Sequence, residues 1–312
     1  MSKIYFVGDT HIMSTSPSSR NETAEEYRQL QYDKLKQVYD MATDEDLVII
    51  TGDVFNSSAL SMMSGTPKFY NDIIDLMNSK PTYTIVGNHD LYFRNETVEN
   101  TTILDNLFKT GVKHLERLKF KDINLVGIDY GHDFPVFENS STYNIVVAHS
   151  FFEDSFYGST GNHNLTIDGL KVMKNVNAVV LGHDHNTYKI LDIDGVKIVR
   201  PGSLMRGTSH TCNINRIPQV AIFDTETKEW KYVPITNVPG EEVFKKKVLL
   251  EKDLDINMND IISNLSSYDK SSNIFKILHE NEVAGREAYG ERYEAVLDII
   301  KQYLNSFGVV GR

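Results

Sequence analysis

Five apolar runs in this 312-residue chain end in polar groups that can bind metal. Residues 3–8 lead into Asp9-Thr10-His11, and Leu47-Val48-Ile49-Ile50 leads into Thr51-Gly52-Asp53. Thr82-Tyr83-Thr84-Ile85-Val86 leads into Gly87-Asn88-His89-Asp90, and Ile145-Val146-Val147-Ala148 leads into His149. Residues 177–181 lead into Gly182-His183-Asp184-His185. Each set sits beside a glycine or another small residue. Asp9, Asp53, Asn88, His11, His149, His183 and His185 make a ligand set of two carboxylates, one amide oxygen and four imidazoles. It is hard-to-borderline in character and suits Mn²⁺, Fe²⁺ or Zn²⁺, and it is too rich in nitrogen for Ca²⁺ or a typical Mg²⁺ site. Seven ligands are too many for one tetrahedral ion. Two ions that share a carboxylate use them well, and Asp53, alone at the end of a central strand, is the natural bridge.

These groups need elements that bring them to one edge. Residues two apart on extended chain point the same way, so Asp9/His11 and His183/His185 can each converge on one place. Helical spacing appears at 23–42, after Pro67 (Phe69, Ile73, Leu76, Met77) and at 97–110. The first third therefore reads β-α-β-α-β-α, which favours a parallel sheet with ligands at the carboxyl ends of its strands. Short strands are expected at 117–121, 124–129, 144–148, 177–181, 187–192, 195–200 and 219–224. Helices thin out here, which predicts a more antiparallel second sheet packed face to face on the first, with helices outside. A boundary is expected near Pro239-Gly240. It separates a catalytic domain, 1–240, from a charged, helix-prone extension, 241–312, whose residues 286–307 form an amphipathic pattern.

Composition narrows the setting. Hydrophobic content of 40% and charged content of 24% describe an ordinary globular protein. The single cysteine, Cys212, excludes an internal disulfide framework and fits a reducing compartment. Met1–Val7 enters a strand almost at once, with no cleavage signal, and no apolar run approaches the ~20 residues of a membrane span. A cytoplasmic protein is the expectation. A net charge of −11 argues against generic nucleic-acid affinity.

As a set, Asp9-x-His11, Gly52-Asp53, Gly87-Asn88-His89-Asp90, His149 and Gly182-His183-x-His185 resemble the signature of the calcineurin-like metallophosphoesterases over about residues 4–205. The resemblance implies an α/β fold, a four-layer αββα sandwich, with a helical or α+β C-terminal extension. It implies one metal on Asp9, His11, Asp53 and His185, and a second on Asp53, Asn88, His149 and His183. His89 would be catalytic and Asp90 its orienting partner. The implied reaction is hydrolysis of a phosphate ester by a metal-activated hydroxide, with no covalent enzyme intermediate. The chain departs from the pattern at Asn56, where many members carry Asp.

Within that family, Thr84–Tyr92 and Ile198-Val199-Arg200-Pro201-Gly202-Ser203-Leu204 are similar to the SbcD-type and bacteriophage recombination nucleases of DNA double-strand-break repair. This implies a 3′-to-5′ exonuclease and single-strand endonuclease. It would use two divalent cations, Mn²⁺ first with Fe²⁺, Zn²⁺ or Mg²⁺ as substitutes. It would work as a homodimer with an SMC-like coiled-coil ATPase, docked through the extension, and without a membrane. Arg200, Arg206 and Lys245-Lys246-Lys247 are the basic groups expected to meet DNA. The rival reading is an enzyme of the same fold acting on cyclic nucleotides or other small phosphodiesters. His114, His132, His163 and His279 lack a motif and are expected to be surface or structural groups, and His210, near the Pro-Gly-Ser block and within reach of the site, is expected to be a loop histidine.

Overall fold

The computed structural model describes residues 2–59, 65–91, 102–134, 142–153, 164–208, 211–236 and 238–245. All of them belong to the first of two units into which the chain divides, Met1–Leu249. The predicted helix at 286–307, with the rest of the extension beyond 245, lies outside the described residues.

Two six-stranded sheets form the body. The first has the order β12-β11-β1-β2-β3-β4, with β1 Lys3–Val7, β2 Leu47–Ile50, β3 Thr82–Thr84, β4 Lys113–His114, β11 Gln219–Asp224 and β12 Trp230–Pro234. The second has the order β5-β6-β7-β8-β10-β9, with β5 Arg117–Phe120, β6 Ile123–Ile128, β7 Tyr143–His149, β8 Ala178–Gly182, β9 Leu191–Ile193 and β10 Val196–Val199.

Alternation along the strands builds the layers. Side chains two apart share a face of a sheet. Ile4, Phe6, Leu47 and Ile49 pack against Ile145, Val147, Ala178 and Val180, which makes the core between the sheets. Their neighbours Tyr5, Val7, Val48 and Ile50 face Leu35, Val38, Ile73, Met77 and Leu104 of three helices: α1 (Ala24–Met41), α2 (Pro67–Asn78) and α3 (Ile103–Phe108). On the far side, Val146, Val179 and Ile198 pack on Leu170 and Met173, from and beside α4 (Ile167–Val172). Helix, sheet, sheet, helix is the expected four-layer sandwich.

The helix starts follow local chemistry. Thr23 caps α1 and Thr102 caps α3, each in a reciprocal box with Glu26 or Asp105. Pro67 opens α2. The helix expected at 97–110 is described over 103–108, and residues 97–101 lie outside the described residues.

The second sheet differs from expectation. Its central strands β6, β7, β8 and β10 are parallel, and only the edge strands β5 and β9 run antiparallel. The reason is burial: β7 and β8 are covered on both faces, as parallel strands are, and long connections return the chain to the same edge. The hairpin β11–β12 leaves this sheet and pairs β11 antiparallel to β1 of the other. β12 has a period-2 signal in Trp230 and Tyr232, and Trp230 closes on Phe6 with ring centroids 5.3 Å apart. β9 begins four residues later than expected. Tyr188 is held off the strand by its hydroxyl bond to Asp184 (2.9 Å) and by the Arg200 guanidinium 3.7 Å over its ring.

At the C-terminal side of the described body, α5 (Thr211–Asn215) and α6 (Gly240–Val243) are short, and Phe244 is buried after α6. Among the described residues, no helix is long and apolar enough to cross a membrane.

Candidate dinuclear metal centre

The carboxyl ends of β1, β2, β3, β7 and β8 meet at one edge, and the seven polar groups meet with them. Asp9, His11, Asp53 and His185 form one group, and Asp53, His149 and His183 a second. Within each group the ligand atoms lie within 4.8 Å of one another. Asp53 belongs to both. Its Oδ2 is 3.4 Å from His149 Nε2 and 3.7 Å from His11 Nε2. Asn88 joins the second group through Oδ1, 3.1 Å from His149 Nε2. In the first group His11 Nε2 and His185 Nε2 face each other at 2.9 Å, and Asp9 Oδ2 lies 3.3 Å from His185 Nε2.

The backbone is bent to achieve this. His11, Asp53 and His183 have positive φ (43°, 48° and 80°), uncommon for residues other than glycine and a mark of built-in strain at functional sites. Glycines give the room. A Cβ on Gly87 would stand 2.2 Å from Asp53 Oδ1, and one on Gly52 would stand 2.5 Å from His149 Nδ1. Gly52 and Gly87 are therefore part of the site.

The calcineurin-like phosphoesterase family matches residues 2–187, more than half of the chain and all seven of these groups. The chain belongs to that family.

Solved structures to which this chain shows some similarity include a 5′-nucleotidase precursor from Thermus thermophilus (13% identity, TM-score 0.41). The alignment covers 80% of this chain and 57% of the nucleotidase, so the chain spans little more than half of that protein's length. An NAD nucleotidase from Haemophilus influenzae matches at 12% identity and TM-score 0.36 over 85% of this chain and 66% of its own. A dimetal phosphatase from Danio rerio matches at 9% identity and TM-score 0.41 over 75% of this chain and 99% of its own.

The Asp/His cluster of this phosphoesterase suits a dinuclear metal centre on its own chemistry. Both carboxylates are buried, and imidazole nitrogens stand close to each, His185 Nε2 beside Asp9 and His149 and His11 Nε2 beside Asp53, which is the mixed oxygen and nitrogen donor set a divalent cation takes. The groups behind the ligands set their tautomers. His149 Nδ1 donates to the Thr51 carbonyl at 2.8 Å, which leaves Nε2 to the site. Asp9 accepts the His183 peptide N–H on both oxygens (3.1 and 3.0 Å). Asp53 Oδ1 accepts the His89 N–H at 2.8 Å, which aims Oδ2 at the imidazoles.

Charge follows from burial and pairing. Burial alone would raise Asp9, but the His185 and His149 imidazoles hold it down at about 2. Asp53 is likewise held far below the carboxylate range by His149 and His11 against the cost of burial. Burial pushes His11 down to about 4 and His183 to about 3, so both stay neutral, as ligands must. Burial would also lower His149, but Asp53 and Asp9 raise it to about 10. At neutral pH His149 therefore holds a proton that a cation must displace. The sign follows: below that pKa the fraction of free imidazole rises with pH. Cation affinity is expected to rise roughly tenfold per pH unit through neutrality, with release of a proton. Calorimetric titration at two pH values, each in buffers of different ionisation heat, checks both the slope and the proton count.

His89 stands at the rim, its ring 4.8 Å from that of His11 in an edge contact. Its Nδ1 donates to the main-chain carbonyl of Asn56 at 2.9 Å, which leaves Nε2 free. Asp90, expected to orient it, does something else. That carboxylate is buried and accepts the N–H groups of Gly87 (3.0 Å), Phe55 (3.2 Å) and Val54 (3.3 Å), which locks the turn after β3 to the turn after β2. Burial, and then the Asp53 charge, raise its pKa to about 7. The partner of the His89 ring is instead the main-chain carbonyl of Asn56, a contact that does not depend on the side chain at position 56. Asn56→Ala is expected to leave turnover within a few-fold of wild type, and steady-state kinetics on a chromogenic diester checks this.

Several supporting groups carry no sequence motif. Thr51 caps His149. Asp129 accepts the Val86 N–H at 2.8 Å and pairs with His114 at 3.0 Å, which ties the end of β3 to β6. Phe151 and Tyr130 wall off His183 with ring centroids 4.1 and 5.4 Å away. Glycine and threonine beside the ligands were the only hints of this shell in the chain itself.

The basic groups expected at the surface are placed otherwise. Arg200 and Arg206 are each 1% exposed. Arg200 lies over Tyr188, and Arg206 donates to the carbonyls of Asn213, Ile214 (both 3.4 Å) and Val238 (2.5 Å). Both are structural, because their side chains satisfy buried aromatic faces and carbonyls. Lys245 is exposed, while Lys246 and Lys247 lie outside the described residues, as do His163, His210 and His279.

Proposed function

We propose that this metal-dependent phosphoesterase hydrolyses phosphodiesters of DNA as the nuclease subunit of a repair or recombination complex. In this reading it works inside the cell with Mn²⁺, as a homodimer, with an SMC-like coiled-coil ATPase as partner. The observation that carries the chemistry is the shared position of Asp53 in both ligand groups. The motif resemblance at Thr84–Tyr92 and Ile198–Leu204 supports DNA as the substrate.

Asp9, His11, Asp53 and His185 would hold one cation, and Asp53, Asn88, His149 and His183 the other. When bound, two such ions neutralise charge on the phosphoryl oxygens and supply a nucleophile at neutral pH. The chain's own residues do the rest. Thr51 fixes the tautomer of His149. The Asn56 carbonyl accepts from His89 Nδ1–H, so Nε2 is the nitrogen left for a phosphoryl or leaving oxygen, and the imidazolium form would give that oxygen its proton from Nε2.

A second reading, hydrolysis of cyclic nucleotides or other small phosphodiesters, is favoured by two observations. Arg200 and Arg206 are withdrawn from solvent, and the net charge is −11. Hydrolysis by the purified chain with Mn²⁺ separates the two. Linear single- and double-stranded DNA are compared with a cyclic nucleotide and bis-p-nitrophenyl phosphate. Shortening of DNA is the expected result. Turnover of small diesters with DNA untouched, even after addition of a candidate ATPase, would overturn the nuclease reading.

A further inference from the structure

The segment Ser203-Leu204-Met205-Arg206, just after β10, is buried throughout and has two differently used edges. On one edge its N–H groups reach the metal ligands' own backbone. Ser203 N–H donates to the His185 carbonyl at 3.2 Å, and Leu204 N–H donates to the Asp9 carbonyl at 3.0 Å. Gly202, at φ 73°, makes the approach possible, since a Cβ there would meet the Asn186 carbonyl at 2.6 Å and that of His185 at 2.9 Å.

On the other edge, four successive carbonyls each accept from a buried arginine or lysine side chain. Arg216 donates to Ser203 through Nη1 and to Met205 through Nη2 at 2.7 Å. Lys34 Nζ donates to Leu204 at 3.4 Å. Arg20 Nη1 donates to Arg206 at 2.5 Å. All three side chains are at least 95% buried, and burial, with the nearby charges of Arg206, Arg20 and Arg216, pushes Lys34 well below the usual lysine pKa. Buried cations are costly and are ordinarily matched by carboxylates. Here Arg216 is held by the Ser203 and Met205 carbonyls and by the Asn213 side chain, and Arg20 by the Arg206 carbonyl and, through two nitrogens, by the Glu22 carboxylate. Such an arrangement fixes a stretch of backbone far more tightly than an apolar filling would.

We propose that this cationic clamp, centred on Arg216, is a positioning device for one half of the dinuclear centre. It sets residues 203–206, and through them the Asp9 and His185 backbones, at the spacing at which those two ligands reach the same cation. The inference rests on the dinuclear reading. It assigns the clamp to the Asp9/His11/Asp53/His185 group and leaves the Asn88/His149/His183 side, which receives no bond from the segment, largely untouched.

The test is Mn²⁺ uptake by the full chain, followed by calorimetry and equilibrium dialysis, for wild type, Arg216→Met, Arg216→Lys and Lys34→Met. Wild type is expected to take up two equivalents. In Arg216→Met one equivalent should bind as before and the other roughly 10- to 100-fold more weakly. Arg216→Lys, which keeps the charge but reaches one carbonyl instead of two, should recover part of the loss, and Lys34→Met should weaken the same equivalent. A purely structural role would lower thermal stability without splitting the two events. Unchanged uptake of both equivalents, or equal loss of both, overturns the clamp while leaving the dinuclear reading intact. If Arg216→Met does not fold, Arg216→Lys and Lys34→Met decide: wild-type uptake in both overturns it. Fewer than two equivalents in wild type overturns the dinuclear reading and the clamp together.

Discussion

Asp53→Asn is expected to lower phosphoester hydrolysis by roughly 10³-fold or more, and to cost the chain at least one of its two cations. The substitution keeps the shape of the side chain and changes only its charge and one oxygen. Asp53 is buried, its Oδ2 faces both His149 and His11, and its Oδ1 is taken up by the His89 N–H. It is the group common to both ligand clusters. Asn cannot offer two anionic oxygens, so the charge that balances two cations falls and the shared ligand is lost. Metal ions supply several kcal/mol to such transition states, and each 1.36 kcal/mol is a factor of ten. The check is kcat/KM on bis-p-nitrophenyl phosphate together with metal analysis of the purified variant. Wild-type activity in Asp53→Asn would contradict a shared carboxylate at the centre.

His89→Ala is the second large effect, with a different signature. Both cations should remain, because His89 belongs to neither ligand group. Turnover should fall about 10²- to 10⁴-fold, the usual range for a positioned proton donor, and the loss should appear in kcat more than in KM. The geometry behind this is the anchor from Nδ1 to the Asn56 carbonyl, which leaves Nε2 for the site, with the His89 ring beside that of His11. Loss of metal in His89→Ala would instead make His89 a ligand or its support. Full activity would remove it from the chemistry.

Much of the centre was legible because ligand chemistry forces unusual residues into apolar company. A strand that ends in a small residue followed by Asp, Asn or His has few uses, and five of them in one chain (Gly8-Asp9, Gly52-Asp53, Gly87-Asn88, Ala148-His149, Gly182-His183) point to one edge. The supporting shell was not legible, since much of it is backbone. The Asn56 carbonyl that orients His89 and the Thr51 carbonyl that caps His149 are available from any residue type. Asp90 misled for a related reason. Its place next to His89 suggested a side-chain pair, but on extended or turning chain neighbours point apart, and its carboxylate went to three peptide N–H groups.

The fold shows the same division. Hydrophobic runs and helix caps located β1, β2, α1 and α2 well. Strand direction in the second sheet was hidden, because direction depends on how a connection returns and not on the strand's own residues. Arg200 and Arg206 were read as surface cations from type alone. Tyr188, Val238 and the carbonyls at 213–214, which draw them inward, lie far enough along the chain that no local pattern links them.

The most direct test of the dinuclear centre is anomalous diffraction from a crystal of the chain grown with Mn²⁺. Two anomalous peaks are expected, one among Asp9, His11 and His185 and one among Asn88, His149 and His183, with Asp53 touching both. A single peak, or peaks away from Asp53, would contradict the account.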